Sequence, residues 1–439
     1  MTTVVAGILM LGFLVFVHEL GHFVVAKMCG VKVLKFSIGF GPKLVSYRYG
    51  ETEYLICVVP LGGYVQMLGE GSGEEGEVSS EATGNTDRSF ASKPVSRRLA
   101  IVGAGPLMNL LLPLLILPVS FMIGVQMPTY VEGPACIGYV LPDSDAERGG
   151  FMPGDCLSAV NGTTIAHWNA ANLRFVSEAG SPLLFDVSRD GRQVQLLVPA
   201  KNNSLEGMQG LGLMPDLAAR IGGMAPGMAA DQAGMQIGDH ILRIDGQAVS
   251  SWYDLRELIQ QTQGAPVDVL VERDGREFSV VMIPEQRETD GDYLLGVAPL
   301  HELELKRFGP VGAFREGAAK TRELIELTIV FIQKLFTGNV SAKNIGGPIT
   351  VVQVAGQAAQ TDIAAILTVL AFISIQLGIL NLLPIPILDG GHILFYLFEL
   401  ITRRPVSLRA REMAQQVGLA MLLMLMVLAF YNDIIRLWG

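Results

Sequence analysis

The stretch from Val4 to Ala26 reads VVAGILMLGFLVFVHELGHFVVA, and Glu19 is its only charged residue. A segment of this length and hydrophobicity can cross the roughly 30 Å hydrocarbon core of a bilayer as a helix. Within it, His18 and His22 are four residues apart and lie on one face of the helix, where two imidazoles can bind one zinc ion. Glu19 lies beside them and can accept a proton from water. The stretch therefore predicts a zinc site inside the membrane.

A structural role for these side chains is the alternative, because buried polar groups can also hold transmembrane helices together. An ionisable residue at the bilayer centre costs about 2.5–3.5 kcal/mol on insertion scales, so a purely structural trio would be an expensive arrangement. The HExxH pattern supplies two metal ligands and a base but no third protein ligand. That ligand must come from elsewhere in the chain.

The composition is that of a membrane protein: of 439 residues, 50% are hydrophobic and 17% are charged, and the mean hydropathy is +0.41. The formal net charge of -10 argues against nucleic-acid binding. Long apolar runs predict four transmembrane helices in the lipid bilayer, at residues 1–27, 99–125, 363–390 and 413–432. The expected fold class is an α-helical membrane protein with further domains between the second and third spans.

Lys and Arg are concentrated between the first two spans and between the last two. The positive-inside rule therefore places both connecting segments in the cytoplasm. Both termini and the long segment between the second and third spans would then be exported. Because His18 and His22 are near the cytoplasmic end of the first span, the metal site would lie toward the cytoplasmic side of the membrane.

The exported segment contains an internal repeat. A spacing of 84 residues relates Asp155 to Asp239, Asn161-Gly162 to Asp245-Gly246, Trp168 to Trp252, and Arg189-Asp190-Gly191-Arg192 to Arg273-Asp274-Gly275-Arg276. Each copy has short alternating strands and Asn-Gly or Asp-Gly turns. The copies, at residues 128–212 and 213–300, resemble PDZ domains, in which an extended peptide adds as a strand beside a helix. Steric spacers without a ligand are the alternative, since a fold alone does not establish binding.

Two features of the exported segment are left open by the sequence. Residues 301–362 include an amphipathic pattern over Pro310–Phe336, which predicts a helix that lies on the outer membrane surface or against the PDZ-like copies. An ordinary helix packed on a soluble domain is the alternative. Cys136 and Cys156, both in the first copy, either form a disulfide in an oxidising compartment or remain two buried thiols.

A candidate for the missing ligand closes the third span, which ends in NLLPIPILDGGH from Asn381 to His392. Asp389 follows a long apolar run near the cytoplasmic end of this span, at a depth similar to that expected for the two histidines. The topology therefore predicts Asp389 as the third ligand. Asp before two glycines is also a common turn residue, which is the alternative. Pro384 and Pro386 predict an interrupted helix nearby.

HELGH at residues 18–22, GPLMN at residues 105–109, the paired PDZ-like copies and the NLLPIPILDGGH segment together resemble the bacterial site-2 proteases, specifically the regulator of sigma-E protease group. The resemblance covers nearly the whole chain. It implies an intramembrane zinc metalloprotease in which the two histidines and Asp389 bind Zn²⁺ and Glu19 is the general base. It also implies a location in the bacterial inner membrane, with both termini and the PDZ-like copies in the periplasm.

The resemblance further implies a substrate class: single-pass membrane proteins of the anti-sigma factor type, already shortened outside the membrane, and leftover signal peptides. A transmembrane substrate must unwind before its backbone can be attacked. A membrane-associated β-sheet within residues 28–98 could accept it as an added strand. The candidate contacts on this sheet are Gly62, Gly63 and Tyr64. Asn381 and Asn109 match family asparagines near the active site, where they either bind substrate or join helices.

Two other classes of function remain open. A membrane adaptor would bind exported peptides through its PDZ-like copies and use the metal site for structure alone. A transporter would explain Glu19 and Asp389 as polar residues along a path, but it would not explain the exported repeat. Glu19 distinguishes the protease from the adaptor, because a structural metal site has no need for a base.

Overall fold

The computed structural model describes residues 2–70, 86–178, 181–199, 207–287, 291–337 and 345–438. The chain forms two compact units. The first unit contains Met1–Val125, Lys306–Ile332 and Ser341–Trp438, and the second contains Gln126–Leu305 and Gln333–Val340. All the predicted metal ligands therefore belong to the first unit, and the internal repeat belongs to the second.

The described residues form helices and short strands. The helices are α1 (Thr2–Met28), α2 (Val95–Leu111), α3 (Pro113–Ile123), α4 (Thr129–Glu132), α5 (Asp145–Arg148), α6 (Trp168–Glu178), α7 (Met208–Leu211), α8 (Ala229–Gln232), α9 (Trp252–Gln261), α10 (Pro310–Phe336), α11 (Pro348–Thr361), α12 (Ile363–Leu382), α13 (Asp389–Thr402) and α14 (Leu408–Trp438). The strands are β1 (Val33–Tyr49), β2 (Thr52–Met67), β3 (Val125–Pro128), β4 (Ile137–Val140), β5 (Cys156–Val160), β6 (Thr163–Thr164), β7 (Leu183–Arg189), β8 (Arg192–Val198), β9 (Leu213–Pro215), β10 (Ile221–Met224), β11 (His240–Ile244), β12 (Gln247–Ala248), β13 (Val267–Arg273), β14 (Arg276–Met282), β15 (Glu285–Gln286), β16 (Tyr293–Leu294), β17 (Val297–Pro299) and β18 (Leu303–Lys306).

Four helical segments of the described residues are long and apolar enough to cross a membrane. They are Thr3–Met28, Val95–Ile123, Ile363–Leu382 and Leu408–Arg436. The second segment combines α2 and α3, which meet at Leu112. The structure thus contains four apolar helices where the sequence predicts four spans, although their ends differ from the predicted ones.

The third apolar helix ends earlier than the sequence predicted. α12 ends at Leu382, and the segment between α12 and α13 is not helical, so the predicted continuation to residue 390 is wrong. Pro384 and Pro386 explain the break, because proline has no backbone N–H group to donate to a helical hydrogen bond. Asp389 instead begins the separate helix α13. The predicted third ligand therefore lies at the start of a short helix and not within a span.

β1 and β2 form a hairpin that folds back on itself. Lys35, in the first half of β1, pairs with both Gln66 and Glu53, so this part of β1 has β2 on both sides. Gly39 and Gly62 lie near the irregular part of the register, and their φ angles are +89° and +140°. Backbone conformations of this kind favour glycine, because a Cβ atom would clash with the chain. The sheet lies in the segment where the sequence predicts one.

Ion pairs hold the turn of this hairpin against the end of α1. Glu51 lies in the turn and accepts hydrogen bonds from Arg88 and from Lys27, the latter in the last turn of α1. These two cations, Arg88 first, lower the pKa of the Glu51 carboxyl to about 2. Glu51 therefore stays ionised at neutral pH, and the sheet is fixed beside the helix that carries HELGH.

The second unit contains two copies of one module with the same strand order. The first copy has a sheet of order β6-β5-β7-β8, and the second has a sheet of order β12-β11-β13-β14. In each copy a buried aspartate accepts two hydrogen bonds from an arginine of the third strand: Asp155 from Arg189, and Asp239 from Arg273. These residues are related by the 84-residue spacing in the sequence, so the repeat is a structural duplication.

The boundary between the copies differs from the predicted one at residue 213. β9, which spans Leu213–Pro215, pairs with β4 of the first copy. The corresponding strand of the second copy, β17, pairs with β10. Each copy is therefore closed by a strand that returns to pair near its own beginning, and β9 belongs to the first copy. The 84-residue spacing relates the two copies but does not show which copy β9 pairs with.

The two copies differ at one bridge. Cys136 and Cys156 form a disulfide in the first copy, at an isolated antiparallel β-bridge. The equivalent positions in the second copy are Arg220 and His240, which form the same bridge without a covalent bond. Of the two possibilities left open by the sequence, the structure has the disulfide. Cys29 and Cys57, which lie in the first unit, are free thiols.

The amphipathic pattern over Pro310–Phe336 is a single helix, α10. The part of α10 in the first unit packs on α3: Gly317 lies against Pro118, and Leu324 shares a buried cluster with Leu117. By contrast, Val311 is 87% exposed. This part of α10 therefore packs along α3, the C-terminal half of the second apolar segment, and its other face is open to its surroundings.

Candidate metal centre

The three predicted metal ligands converge in the first unit. His18 Nε2 lies 3.1 Å from Asp389 Oδ2, and His22 Nε2 lies 3.7 Å from Asp389 Oδ1. The two Nε2 atoms are 3.2 Å apart. One ligand atom from each residue can thus be chosen so that all three lie within 4.8 Å of one another. The α1 and α13 helices therefore bring together two imidazoles and a carboxylate, as the sequence predicts.

Close helix packing holds these ligands in place. A Cβ atom at Gly21 in α1 would lie 2.4 Å from the backbone oxygen of Ala104 in α2, so the two helices touch here through glycine. On the other side, Arg98 of α2 makes a two-pronged ion pair with Glu399 of α13, and its guanidinium lies 4.9 Å from the ring centroid of Tyr396. The α2 helix therefore connects the helix that carries the histidines to the helix that carries Asp389.

The site has room for a metal ion because residue 105 is glycine. A Cβ atom at Gly105 would lie 2.3 Å from His22 Nε2 and 2.8 Å from His18 Nε2. Any side chain there would occupy the space beside the two nitrogen atoms that face Asp389. Two imidazoles and one carboxylate are also the protein ligands of several catalytic zinc sites, which leave a fourth position open. The residues therefore fit zinc.

Each histidine has a polar neighbour in α2 at its second ring nitrogen. His22 Nδ1 lies 2.9 Å from the backbone oxygen of Ile101. His18 Nδ1 lies 3.5 Å from the side-chain amide of Asn109, which is 1% exposed. Partners of this kind orient metal-binding imidazoles and set their tautomer. Asn109 is thus placed beside a predicted metal ligand.

Glu19 lies between the ligands and the β-sheet. The backbone N–H of Val65 in β2 lies on the carboxylate side of Glu19. A Cβ atom at Gly63 would lie 3.0 Å from Glu19 Cγ and 2.7 Å from the backbone oxygen of Ser37, so this approach also requires glycine. Beyond β1, β2 pairs with no further strand of the described residues. A free strand edge therefore lies next to the predicted base.

The remaining predicted contacts are placed as follows. Gly62 and Tyr64 flank Gly63 in β2, and the Tyr64 ring stacks on Phe40 with centroids 6.2 Å apart. Asn381 lies in the last turn of α12 and is half-buried. Its side chain makes no hydrogen bond within the described parts of the chain, in contrast to Asn109. The amide of Asn381 is thus available to another molecule.

Three features of the site were not found from the sequence. The sequence does contain an indication of the space at Gly105, because a glycine one turn before Asn109 allows another element to approach closely. It contains no indication of the contact with the backbone oxygen of Ile101, because every residue has such an oxygen and only the fold decides which one faces His22. The ion pair of Arg98 with Glu399 joins residues that the sequence separates widely.

Comparison with known proteins places this chain in a family. The model of peptidase family M50 matches residues 6–425. The chain belongs to this family. It is 37% identical to the "Putative zinc metalloprotease" of Neisseria meningitidis over 100% of both chains. It is 36% and 34% identical to the regulator of sigma-E protease of Salmonella typhimurium and of Escherichia coli, in each case over 98% of both chains.

Membership of the M50 family, together with these relatives, makes the chain an intramembrane zinc metalloprotease, as the sequence predicts. A solved structure of the PDZ domain of an SdrC-like protein from Listeria monocytogenes is also similar. The match covers 20% of this chain and 92% of the PDZ chain, with 17% identity and a TM-score of 0.18. The matches to these relatives extend over nearly the whole chain, so they include the segments that form the PDZ-like copies and the apolar helices.

Proposed function

We propose that this protein cleaves the transmembrane segments of single-pass membrane proteins at a zinc site formed by His18, His22 and Asp389. The convergence of one ligand atom from each of these residues within 4.8 Å carries the proposal. A zinc ion held there would polarise the scissile carbonyl and acidify a water molecule. The ligands come from helices that are apolar enough to span a membrane, or from the start of the adjoining helix. The chemistry would therefore take place at membrane depth.

Glu19 is the proposed general base. It lies next to His18 in α1, so its carboxylate can accept a proton from the attacking water and return it to the nitrogen of the leaving amine. The backbone N–H of Val65 in β2 attracts the carboxylate toward the sheet. Glu19 thereby connects the metal ligands to the surface on which a substrate backbone would lie.

The free edge of β2 is the proposed binding surface for the unwound substrate. A transmembrane helix hides its carbonyl groups in its own hydrogen bonds, and once these are broken its backbone groups need other partners in the membrane. Gly62, Gly63 and Tyr64 lie on the edge that approaches Glu19, where an added strand would be bound through its main chain. The unpaired amide of Asn381 supplies a further donor and acceptor.

The proposed substrates are single-pass proteins of the anti-sigma factor type, trimmed outside the membrane beforehand, and leftover signal peptides. Support comes from relatives named regulator of sigma-E protease. The second module also offers a peptide site: a cavity of about 150 Å³ lies between α9 and β17, lined by Trp252, Leu255 and Ile259 among others. An apolar groove beside a helix and a strand suits an extended peptide.

The first test is removal of the metal. When the purified protein in detergent is treated with a chelator, we expect cleavage of a trimmed single-pass substrate to stop. After the chelator is removed, zinc equimolar with the protein should restore cleavage. An untrimmed substrate should be cleaved more slowly throughout. A His22→Ala variant serves as the control and should not recover with zinc. Full cleavage by protein shown to be free of zinc would refute the proposed reaction.

The proposed orientation places both termini and the two modules in the periplasm of a bacterial cell. The basic connecting segments favour it, and so does the disulfide, because such bonds persist in oxidising compartments. We expect Cys156 of a Cys136→Ser variant to react with a membrane-impermeant maleimide in spheroplasts. Cys29, as the internal control, should react only after the membrane is permeabilised. The reverse pattern of labelling would contradict the orientation.

A further inference from the structure

Asn109 has an unsatisfied atom beside a predicted metal ligand. Its side chain is buried, and its Nδ2 atom lies 3.5 Å from His18 Nδ1. Its Oδ1 atom is also buried and has no hydrogen-bond partner within the described residues. The backbone oxygen of Asn109 accepts a hydrogen bond from Ser374 of α12 at 2.7 Å, so this turn of α2 is held firmly. Either Nδ2 or Oδ1 of the amide can face the imidazole of His18.

The tautomer of His18 determines which atom of the Asn109 amide faces its ring. The Nε2 atom of His18 faces Asp389 and His22, so a metal ion among these residues requires Nε2 to be unprotonated. The neutral ring then has its proton on Nδ1 and needs an acceptor there. A donating Nδ2 would instead require the proton to be on Nε2, which would block metal binding. One amide atom is unpaired in either orientation, so the tautomer of His18 decides.

We propose that Asn109 is a positioning residue for His18: its amide is turned so that Oδ1 accepts a hydrogen bond from Nδ1–H of His18. The nitrogen and oxygen of an amide are assigned from the hydrogen-bond network, so this orientation uses the same atomic positions. The inference rests on the proposed metal site and extends it. It gives Asn109 a role toward the metal ligand and not toward the substrate.

The arrangement at His22 follows the same principle. His22 donates Nδ1–H to the backbone oxygen of Ile101, which also leaves its Nε2 free to face Asp389. Ile101 and Asn109 are eight residues apart in α2, so a single helix supplies the acceptors for both imidazoles. The partner of His22 is a main-chain atom that substitution does not remove. The partner of His18 is a side chain, and it can be tested.

The test measures zinc affinity in the full-length protein by competition with a chromogenic chelator. Asn109→Leu has a similar volume but no acceptor, and we expect its zinc affinity to fall by about 10- to 100-fold. Asn109→Asp keeps an acceptor oxygen and should retain nearly the affinity of the wild type. Asn381→Leu, the matched asparagine control, should bind zinc normally while its cleavage slows. Asn109→Ala, which adds no bulk, replaces the leucine variant if that protein does not fold.

Each outcome decides between specific roles. Unchanged zinc affinity in Asn109→Leu, with slower cleavage, would overturn the inference and leave Asn109 a substrate contact. Equal loss in the Leu and Asp variants would also overturn it, because the side chain would then act through packing. Failure of the metal site itself is distinguished by the wild type: if it binds no zinc, or if His22→Ala binds zinc as well as the wild type does, the proposed function fails together with the inference.

Discussion

Replacement of Glu19 by glutamine is expected to reduce cleavage by about 10²–10⁴-fold, the usual contribution of a general base, while bound zinc is unchanged. Glutamine has nearly the shape of glutamate but cannot accept the proton of the attacking water. The three ligand residues do not include Glu19, so the metal content should stay the same. The glutamine amide keeps an acceptor oxygen toward the backbone N–H of Val65, so the sheet should stay in place.

The measurement combines cleavage of a trimmed single-pass substrate with metal analysis of the same preparation. Glu326→Gln is the matched control, because Glu326 is an exposed carboxylate of α10 paired with Arg322, far in sequence from the site. It should cleave at the rate of the wild type. Equal cleavage by Glu19→Gln and wild type would remove Glu19 from the mechanism. Zinc retention without cleavage by either protein would favour a membrane adaptor.

The inactive Glu19→Gln protein also tests the proposed edge strand. It should retain an uncleaved substrate at the site, so a photoreactive amino acid in place of Tyr64 ought to crosslink to the transmembrane segment of that substrate. The same amino acid in place of Tyr49, at the turn of the hairpin, is the control and should give little crosslinking. Crosslinking confined to the exported part of the substrate would argue against strand addition on β2.

The parts of the fold that the sequence predicted are those governed by local pattern. Hydropathy predicted the four apolar helices, and the spacing of His18 and His22 predicted two neighbouring imidazoles on one face of a helix. The 84-residue repeat predicted the duplicated module, because equivalent residues such as Asp155 and Asp239 keep the same arginine partner. The approach of Asp389 followed from the topology, which places the ends of two segments at similar depth.

The parts that it did not predict depend on contacts between distant segments. The end of α12 at Leu382 was not predicted, because the apolar run continues past it. Pro384 and Pro386 did indicate an interruption of the helix in this segment. The fold-back of the β1–β2 sheet cannot be read from alternation alone, since one residue, Lys35, has two pairing partners. The acceptor at Ile101 is a backbone atom, and the space at Gly105 is the absence of a side chain.

Because residue 105 has no side chain, its replacement by alanine should have a second large effect. The Gly105→Ala protein is expected to bind zinc at least about 10-fold more weakly, and its rate of cleavage should fall in proportion to the zinc that it loses. The added methyl group would lie 2.3 Å from His22 Nε2, so the ring must move. His22 is held to α2 by its contact with the backbone oxygen of Ile101, so its ring cannot turn aside without losing that partner. The displaced imidazole therefore no longer faces Asp389.

Gly103→Ala is the matched control for this substitution, because it changes the same residue type two positions away in α2. The nearest atom to a Cβ at Gly103 is Ile393 Cδ1 at 4.0 Å, an ordinary contact. Both alanines favour the helix by about 0.5–1 kcal/mol, so a difference between them reports the clash and not helix stability. Chelator competition and cleavage should separate Gly105→Ala from Gly103→Ala. If both variants kept wild-type zinc affinity, the imidazoles would not bind metal in the geometry described. The proposal that zinc is bound through the Nε2 atoms of His18 and His22 would then be wrong.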